Sequence, residues 1–232
     1  MTILHFHNSY HLGDNVFNLI LFYIIKDIIL TNNIKIFYYA KKDYLPQLKE
    51  FISSENIILS SLNYKPKGST ELWINNRYFG YNHDNQMMIK KPYCFNEFYK
   101  NFFTIVLNKF NIKFKLSKFY YEDTDLLTRY NNIPDKYKKF DILILNSQPG
   151  SGQYNYNKNE WDQYILSLNS KFKILTTTKV RNLLSTTDDN LTIKDIASLS
   201  TKAKIIIAVN SGVVPGLLNY YTLTNIKHFY TF

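Results

Sequence analysis

The sequence predicts an α/β protein built as two Rossmann-like βαβ lobes facing each other across a cleft. Three observations carry that expectation. Short apolar runs alternate with longer amphipathic stretches, as in parallel strands joined by helices. The alternation breaks once, at a polar stretch, and then restarts. The run AKIIIAV at residues 203–209 is almost continuously apolar, as a strand covered on both faces must be.

In chain order, TILHF at residues 2–6 reads as a strand, followed by a Gly-Asp turn and a buried helix over 16–30. Residues 34–39 form a second strand and 44–52 a helix; 56–59 and 71–74 are weaker strands. Pro92 precedes an amphipathic helix over 95–110. The Tyr/Lys/Asp-rich residues 116–138, with Pro134, read as a linker with a little local helix. They divide an N-terminal lobe, 1–115, from a C-terminal lobe, 139–232. The second lobe opens with the strand FDILIL at 140–145, then a loop, NSQPGSGQYNYN, and a helix over 159–168. A strand at 172–175 follows, then a helix over 192–200 whose Thr192 and Asp195 have capping-box spacing. After strand 203–209 come a helix over 212–218 and a last strand, 226–230.

Composition narrows the function classes. The single cysteine, Cys94, excludes an internal disulfide framework and a Cys-based zinc site. The first residues lack the basic-then-apolar layout of a signal peptide. The most apolar stretch is interrupted by Asn18, Lys26 and Asp27, too short and polar for a membrane span. A soluble, cytoplasmic protein is expected. The net charge of +10 attracts anions, but the lysines are scattered singly or in pairs. That speaks against nucleic acid, whose binders concentrate charge along one face, and suits a small anionic ligand. Rich use of Asn, Ile and Lys, with only 7 Gly, points to an AT-rich genome, such as that of a large DNA virus, a protist or an AT-rich bacterium.

The strongest chemical feature is Asn210-Ser211-Gly212, between the buried strand and the expected helix. Backbone N–H groups at the carboxyl end of a parallel strand, with a helix dipole behind them, favour an anion such as a phosphate. Ser211 adds a hydroxyl and Gly212 permits close approach. A plain Ser/Gly helix start is the alternative. The loop holding Ser147, Gly150 and Ser151 follows the neighbouring strand and would lie at the same sheet edge; it matches neither a P-loop nor a dinucleotide fingerprint. Lys179 follows the next strand and can reach that edge or remain an exposed loop lysine.

In the first lobe, His11 and Gly13 lead to Asp14, which reads either as a helix cap or as a carboxylate at a cleft mouth that takes a proton from an acceptor hydroxyl. His83 and Asp84 can border an acceptor pocket or lie in a solvated loop. His5 and His7 share one strand face with His11 nearby, a weak metal spacing without a Cys partner, and no metal site is assigned.

Three segments together resemble GT-B glycosyltransferases, particularly the heptosyltransferase-like family: HLGDNVFNLILFYII, ILILNSQPGSGQYNYNKNEWDQYILSL with Trp161, and IKDIASLSTKAKIIIAVNSGVVPGLLN. The resemblance implies transfer of a sugar from a nucleotide-diphosphate sugar, a co-substrate rather than a cofactor, to a hydroxyl of a glycan or other acceptor. It implies inversion without a metal, Asp14 as general base, Gly13 as turn glycine, and Ser211-Gly212 at the donor diphosphate. Ser147, Gly150, Ser151 and Lys179 fall on its donor side. The sequence departs from the pattern at Leu217 and Leu218, where members carry a His, and at Lys158, displaced from the basic position before the tryptophan. It reaches Phe232 straight after the last strand, where members carry a further helix. Those departures keep open a second reading, a non-catalytic nucleotide- or glycan-binding protein on a degenerate GT-B scaffold.

Overall fold

The computed structural model describes residues 1–72, 120–150 and 155–232. The expected helix over 95–110, the end of the strand at 71–74, and the candidates His83, Asp84 and Ser151 lie outside the described residues.

The first sheet is parallel, ordered β3-β2-β1-β4 from β1 (Thr2–His7), β2 (Ile34–Ala40), β3 (Ile57–Ser61) and β4 (Thr70–Glu71). The second, also parallel, is ordered β6-β5-β7-β8 from β5 (Ile142–Leu145), β6 (Ile174–Thr176), β7 (Ile205–Ala208) and β8 (His228–Thr231). Strand order reverses beside β1 in the first sheet and between β5 and β7 in the second. Open α/β sheets hold ligands outside the carboxyl ends of strands at such reversals. The described helices are α1 (Leu12–Ile24), α2 (Lys26–Thr31), α3 (Leu45–Lys49), α4 (Asp125–Asn132), α5 (Lys158–Asn169), α6 (Ile193–Ser200) and α7 (Tyr220–Asn225).

Two helices depart from the expectation. The one expected over 16–30 begins at Leu12 and breaks at Ile25, where ψ is 15°; α2 then turns to bury Ile29 in the core of the first sheet. Gly13 and Asp14 therefore sit inside the first helical turn rather than in a turn before it.

The helix expected over 212–218 is absent; in its place stands one 3₁₀ turn, Val214–Leu217. Tyr121 stops it from growing. Its hydroxyl donates to the Gly216 carbonyl at 2.8 Å and its N–H to the Leu218 carbonyl at 3.3 Å, so carbonyls that a longer helix would use are already taken. Asn219 then caps α7, accepting from the Thr222 N–H at 2.9 Å, a short helix the sequence reading missed. Around α3, a 3₁₀ turn at Lys42–Tyr44 takes the start of the helix expected over 44–52.

The lobes share a core. Phe6, Val16, Leu19, Ile20 and Phe22 of the first lobe pack in one cluster with Tyr121, Leu126, Ile193 and Ala197. Burying each large apolar side chain contributes about 1.5–3 kcal/mol. Val213 touches this core and that of the second sheet. A polar staple reinforces the join. Arg129 reaches Asp195 at 2.7 Å and Glu50 at 3.3 Å, and Glu50 accepts from Thr192 Oγ1 at 2.7 Å. Lys194, buried at the N-terminal turn of α6, contacts Asp123 and Asp125 at 3.1 and 3.0 Å and donates to the Glu50 carbonyl.

Candidate functional site

Three loops meet where the carboxyl edges of the two sheets face each other. A Cβ built on Gly13 would stand 2.4 Å from the Gly212 Cα, and one on Gly150 would stand 3.4 Å from His11 Nδ1. The start of α1 is thereby in contact with both loops that flank the strand-order reversal of the second lobe. Gly13, His11, Gly150 and Gly212, noticed separately in the sequence, belong to one place.

Asp14 is the third residue of α1. Its carboxylate accepts the His11 N–H at 3.3 Å, so the capping role is real. Burial raises its pKa above the ordinary value, partly offset by that hydrogen bond and by the charge of His11. Desolvation makes the carboxylate hold a proton more tightly than an ordinary aspartate, which is the direction that favours a general base. Capping and proton abstraction use the same group and do not exclude each other.

Asn210 is exposed, and its backbone N–H donates to the Phe232 carbonyl at 2.9 Å. The next two N–H groups, of Ser211 and Gly212, donate to no described residue. The Ser211 hydroxyl is buried without a hydrogen-bond partner among the described residues, and an unmet buried donor costs about 1–3 kcal/mol. Three unmet donors on consecutive groups suit an anion. The long helix dipole expected behind them is missing, because only the 3₁₀ turn follows. The close approach that Gly212 permits is, in the structure, to backbone: its bare Cα lies against Gly13.

Ser147 shares a hydrogen bond of 3.1 Å with Thr177 Oγ1. Lys179 is half-exposed and its ammonium contacts both carboxylate oxygens of Asp188 at 2.9 Å, so it is committed to the turn after β6 rather than brought to the meeting point. The histidines of β1 diverge. His5 Nδ1 meets Tyr39 Oη at 2.9 Å, and His7 Nδ1 meets Ser69 Oγ at 2.8 Å. Among the described residues no group of three or more His, Cys, Asp or Glu is placed to hold a metal ion.

Asparagines that the sequence reading passed over shape the loops. Asn146, buried at the end of β5, accepts from the N–H groups of Thr177 and Thr178 at 3.1 and 2.9 Å, tying the loops after β5 and β6 together. Asn15 and Asn18 of α1 share the Tyr38 hydroxyl at 2.8 and 2.9 Å, and Asn15 donates to the His11 carbonyl at 2.8 Å. The signal was present: two amides on an otherwise apolar helix, and one directly after an apolar strand.

Two parallel Rossmann-like sheets, joined through their carboxyl edges, define an α/β protein with the two-lobe GT-B-like fold. The chain is similar in structure to the E. coli heptosyltransferase WaaC with ADP, at 12% identity and a TM-score of 0.51, covering 100% of this chain and 93% of that one. A second structure of that enzyme, with ADP-2-deoxy-2-fluoro heptose, aligns at 12% identity and a TM-score of 0.49, covering 97% and 86%. No protein-family model matches the sequence, and no curated protein matches it. No helix among the described residues is long and apolar enough to cross a membrane.

Proposed function

We propose that the chain is a glycosyltransferase that moves a sugar from a nucleotide-diphosphate sugar to an acceptor hydroxyl, with inversion and without a metal. The observation that carries this reading is the meeting of Asp14's helix with the Ser211-Gly212 turn. It pairs a carboxyl of raised pKa with unmet hydrogen-bond donors. In the reaction, Asp14 takes the proton of the acceptor hydroxyl as its oxygen attacks the anomeric carbon. The bond to the diphosphate breaks on the opposite face, which inverts the centre. The Ser211 hydroxyl and the N–H groups of Ser211 and Gly212 meet the negative charge that builds on the leaving diphosphate. The ADP in the similar structure supports a nucleoside diphosphate as that leaving group.

A second reading, a nucleotide- or glycan-binding protein without catalysis, is favoured by two observations. Leu217, where the heptosyltransferase-like pattern has a His, is fully buried in an apolar cluster, and Lys179 is occupied by Asp188. The deciding experiment is a thermal-shift screen with adenosine, uridine, guanosine and cytidine diphosphates and their sugars, followed by transfer and hydrolysis assays on each nucleotide that stabilises. Stabilisation with turnover supports the transferase. Stabilisation without it supports the binder, and no shift with any nucleotide overturns the transferase and leaves glycan binding as the only part of the second reading that stands.

A further inference from the structure

A diphosphate that leaves in the proposed transfer carries growing negative charge, and the turn that receives it offers neutral donors only. Those are the Ser211 hydroxyl and the N–H groups of Ser211 and Gly212. The 3₁₀ turn behind them, Val214–Leu217, is too short to bring the dipole of a full helix. Lys179 supplies no cation either, since Asp188 holds its ammonium. Hydrogen bonds from a charged donor are roughly twice as strong as neutral ones, so a cation at this place would add what the turn lacks.

His11 stands there. It is exposed, at the extended residue just before α1. Its ring rests on the loop after β5: a Cβ built on Gly150 would meet Nδ1 at 3.4 Å and Cε1 at 3.7 Å. Two residues on, Gly13 lies against the Gly212 backbone, and two residues of chain span about 7 Å at full stretch. The imidazole is thereby held between the two loops that flank the strand-order reversal of the second lobe. Of the side chains these contacts bring together, His11, Asp14 and Ser211, only His11 can carry positive charge. The titratable group beside it on its own helix is Asp14, whose carboxylate accepts the His11 N–H at 3.3 Å and feels the His11 charge. The loop after β5 carries no titratable side chain over 146–150, and the turn after β7 none over 210–213. The surroundings of His11 are therefore a carboxylate, which favours the imidazolium, and a turn with unmet donors, which suits an anion.

We propose that His11 is a further catalytic residue, whose imidazolium binds the donor diphosphate from the first lobe against the Ser211-Gly212 turn of the second. This role rests on the glycosyltransferase reading. The electron pair of the broken bond leaves on the diphosphate oxygen, and His11 offsets that charge while keeping its own proton. Transfer then needs Asp14 ionised and His11 protonated together, so activity falls on the acid side through Asp14 and on the alkaline side through His11.

The test is calorimetric titration of the full chain with the glucose esters of ADP, UDP, GDP and CDP, from about pH 8 to about pH 5.5, the range in which a histidine changes charge. These diesters lack the terminal phosphate that titrates near pH 6 in a free nucleoside diphosphate, so a pH slope belongs to the protein. The expected result is a wild-type affinity that rises about tenfold as pH falls. That rise should vanish in His11→Gln and persist in Asp14→Asn. His11→Lys, which keeps its charge, should bind at the alkaline end as wild type does at the acid end, and it reports even if His11→Gln folds poorly. A wild-type affinity independent of pH, a slope retained in His11→Gln or lost in Asp14→Asn, or weak alkaline binding by His11→Lys overturns the role of His11 and leaves the transferase reading in place. The expected slope without turnover keeps His11 as the diphosphate's cation and overturns transfer instead. No binding of any of the four at any pH overturns the transferase reading itself.

Discussion

Gly13 and Gly212 lie in backbone contact across the lobes, with no room for a side chain between them: a Cβ on Gly13 would stand 2.4 Å from the Gly212 Cα. The opposing Cβ, on Gly212, would stand 3.1 Å from the Gly13 nitrogen. Gly13→Ala must therefore push backbone against backbone, where no rotamer offers relief. We expect a stability loss of about 1–3 kcal/mol and a marked loss of any transfer activity. Gly212→Ala should be milder. Thermal melts and turnover of the two variants check the order, and equal melts would contradict the contact.

Asp14→Asn should lower transfer by about 10²–10⁴-fold, the range of a lost general base, while the nucleotide-induced thermal shift persists. Turnover retained in this variant would remove the assigned role.

The raised pKa of Asp14 sets the sign of two pH effects. The acid limb of activity should fall at a higher pH than an ordinary aspartate, whose value is 3.8, because the base must be ionised. For stability, the folded state binds the proton more tightly than the unfolded chain. Asp14 therefore destabilises the fold as pH rises from its ordinary value through its raised one. Replacing it with Asn should remove that descending contribution from the stability–pH curve, which denaturant titrations across the acid range would show.

Ser211→Ala separates ligand binding from folding. It removes a buried hydroxyl that has no partner among the described residues, so the free protein should be unchanged or slightly more stable. Binding of the best nucleoside diphosphate should weaken about fivefold, the equivalent of one hydrogen bond of about 1 kcal/mol. A destabilised free protein with unchanged nucleotide affinity would show that the hydroxyl serves the fold.

The staple between lobes should behave as a unit. Arg129→Ala leaves the carboxylates of Asp195 and Glu50 without their shared cation, and a cost of about 2 kcal/mol is expected. Glu50→Gln should cost less, and the double variant less than the sum, because one network is removed twice. Additive losses in a denaturant double-mutant cycle would contradict the shared network.

By itself the sequence determined the α/β class, the two-lobe organisation and the position of every described strand to within a few residues. Apolar periodicity records burial on one or both faces, and burial is what a strand needs from its residues. It also marked Asp14, Gly150, Ser211 and Gly212 as chemically notable, since local backbone and side-chain types suffice for that.

Only the tertiary structure decided how those residues relate. Gly13 meets Gly212, and Gly150 meets His11, through chain segments far apart in sequence. The helix expected after Gly212 gave way to a 3₁₀ turn because Tyr121 takes its carbonyls. The same holds for Lys179, whose charge belongs to Asp188. Local propensity specifies which groups a segment offers, but their partners come from the packing of distant segments, which no local pattern encodes.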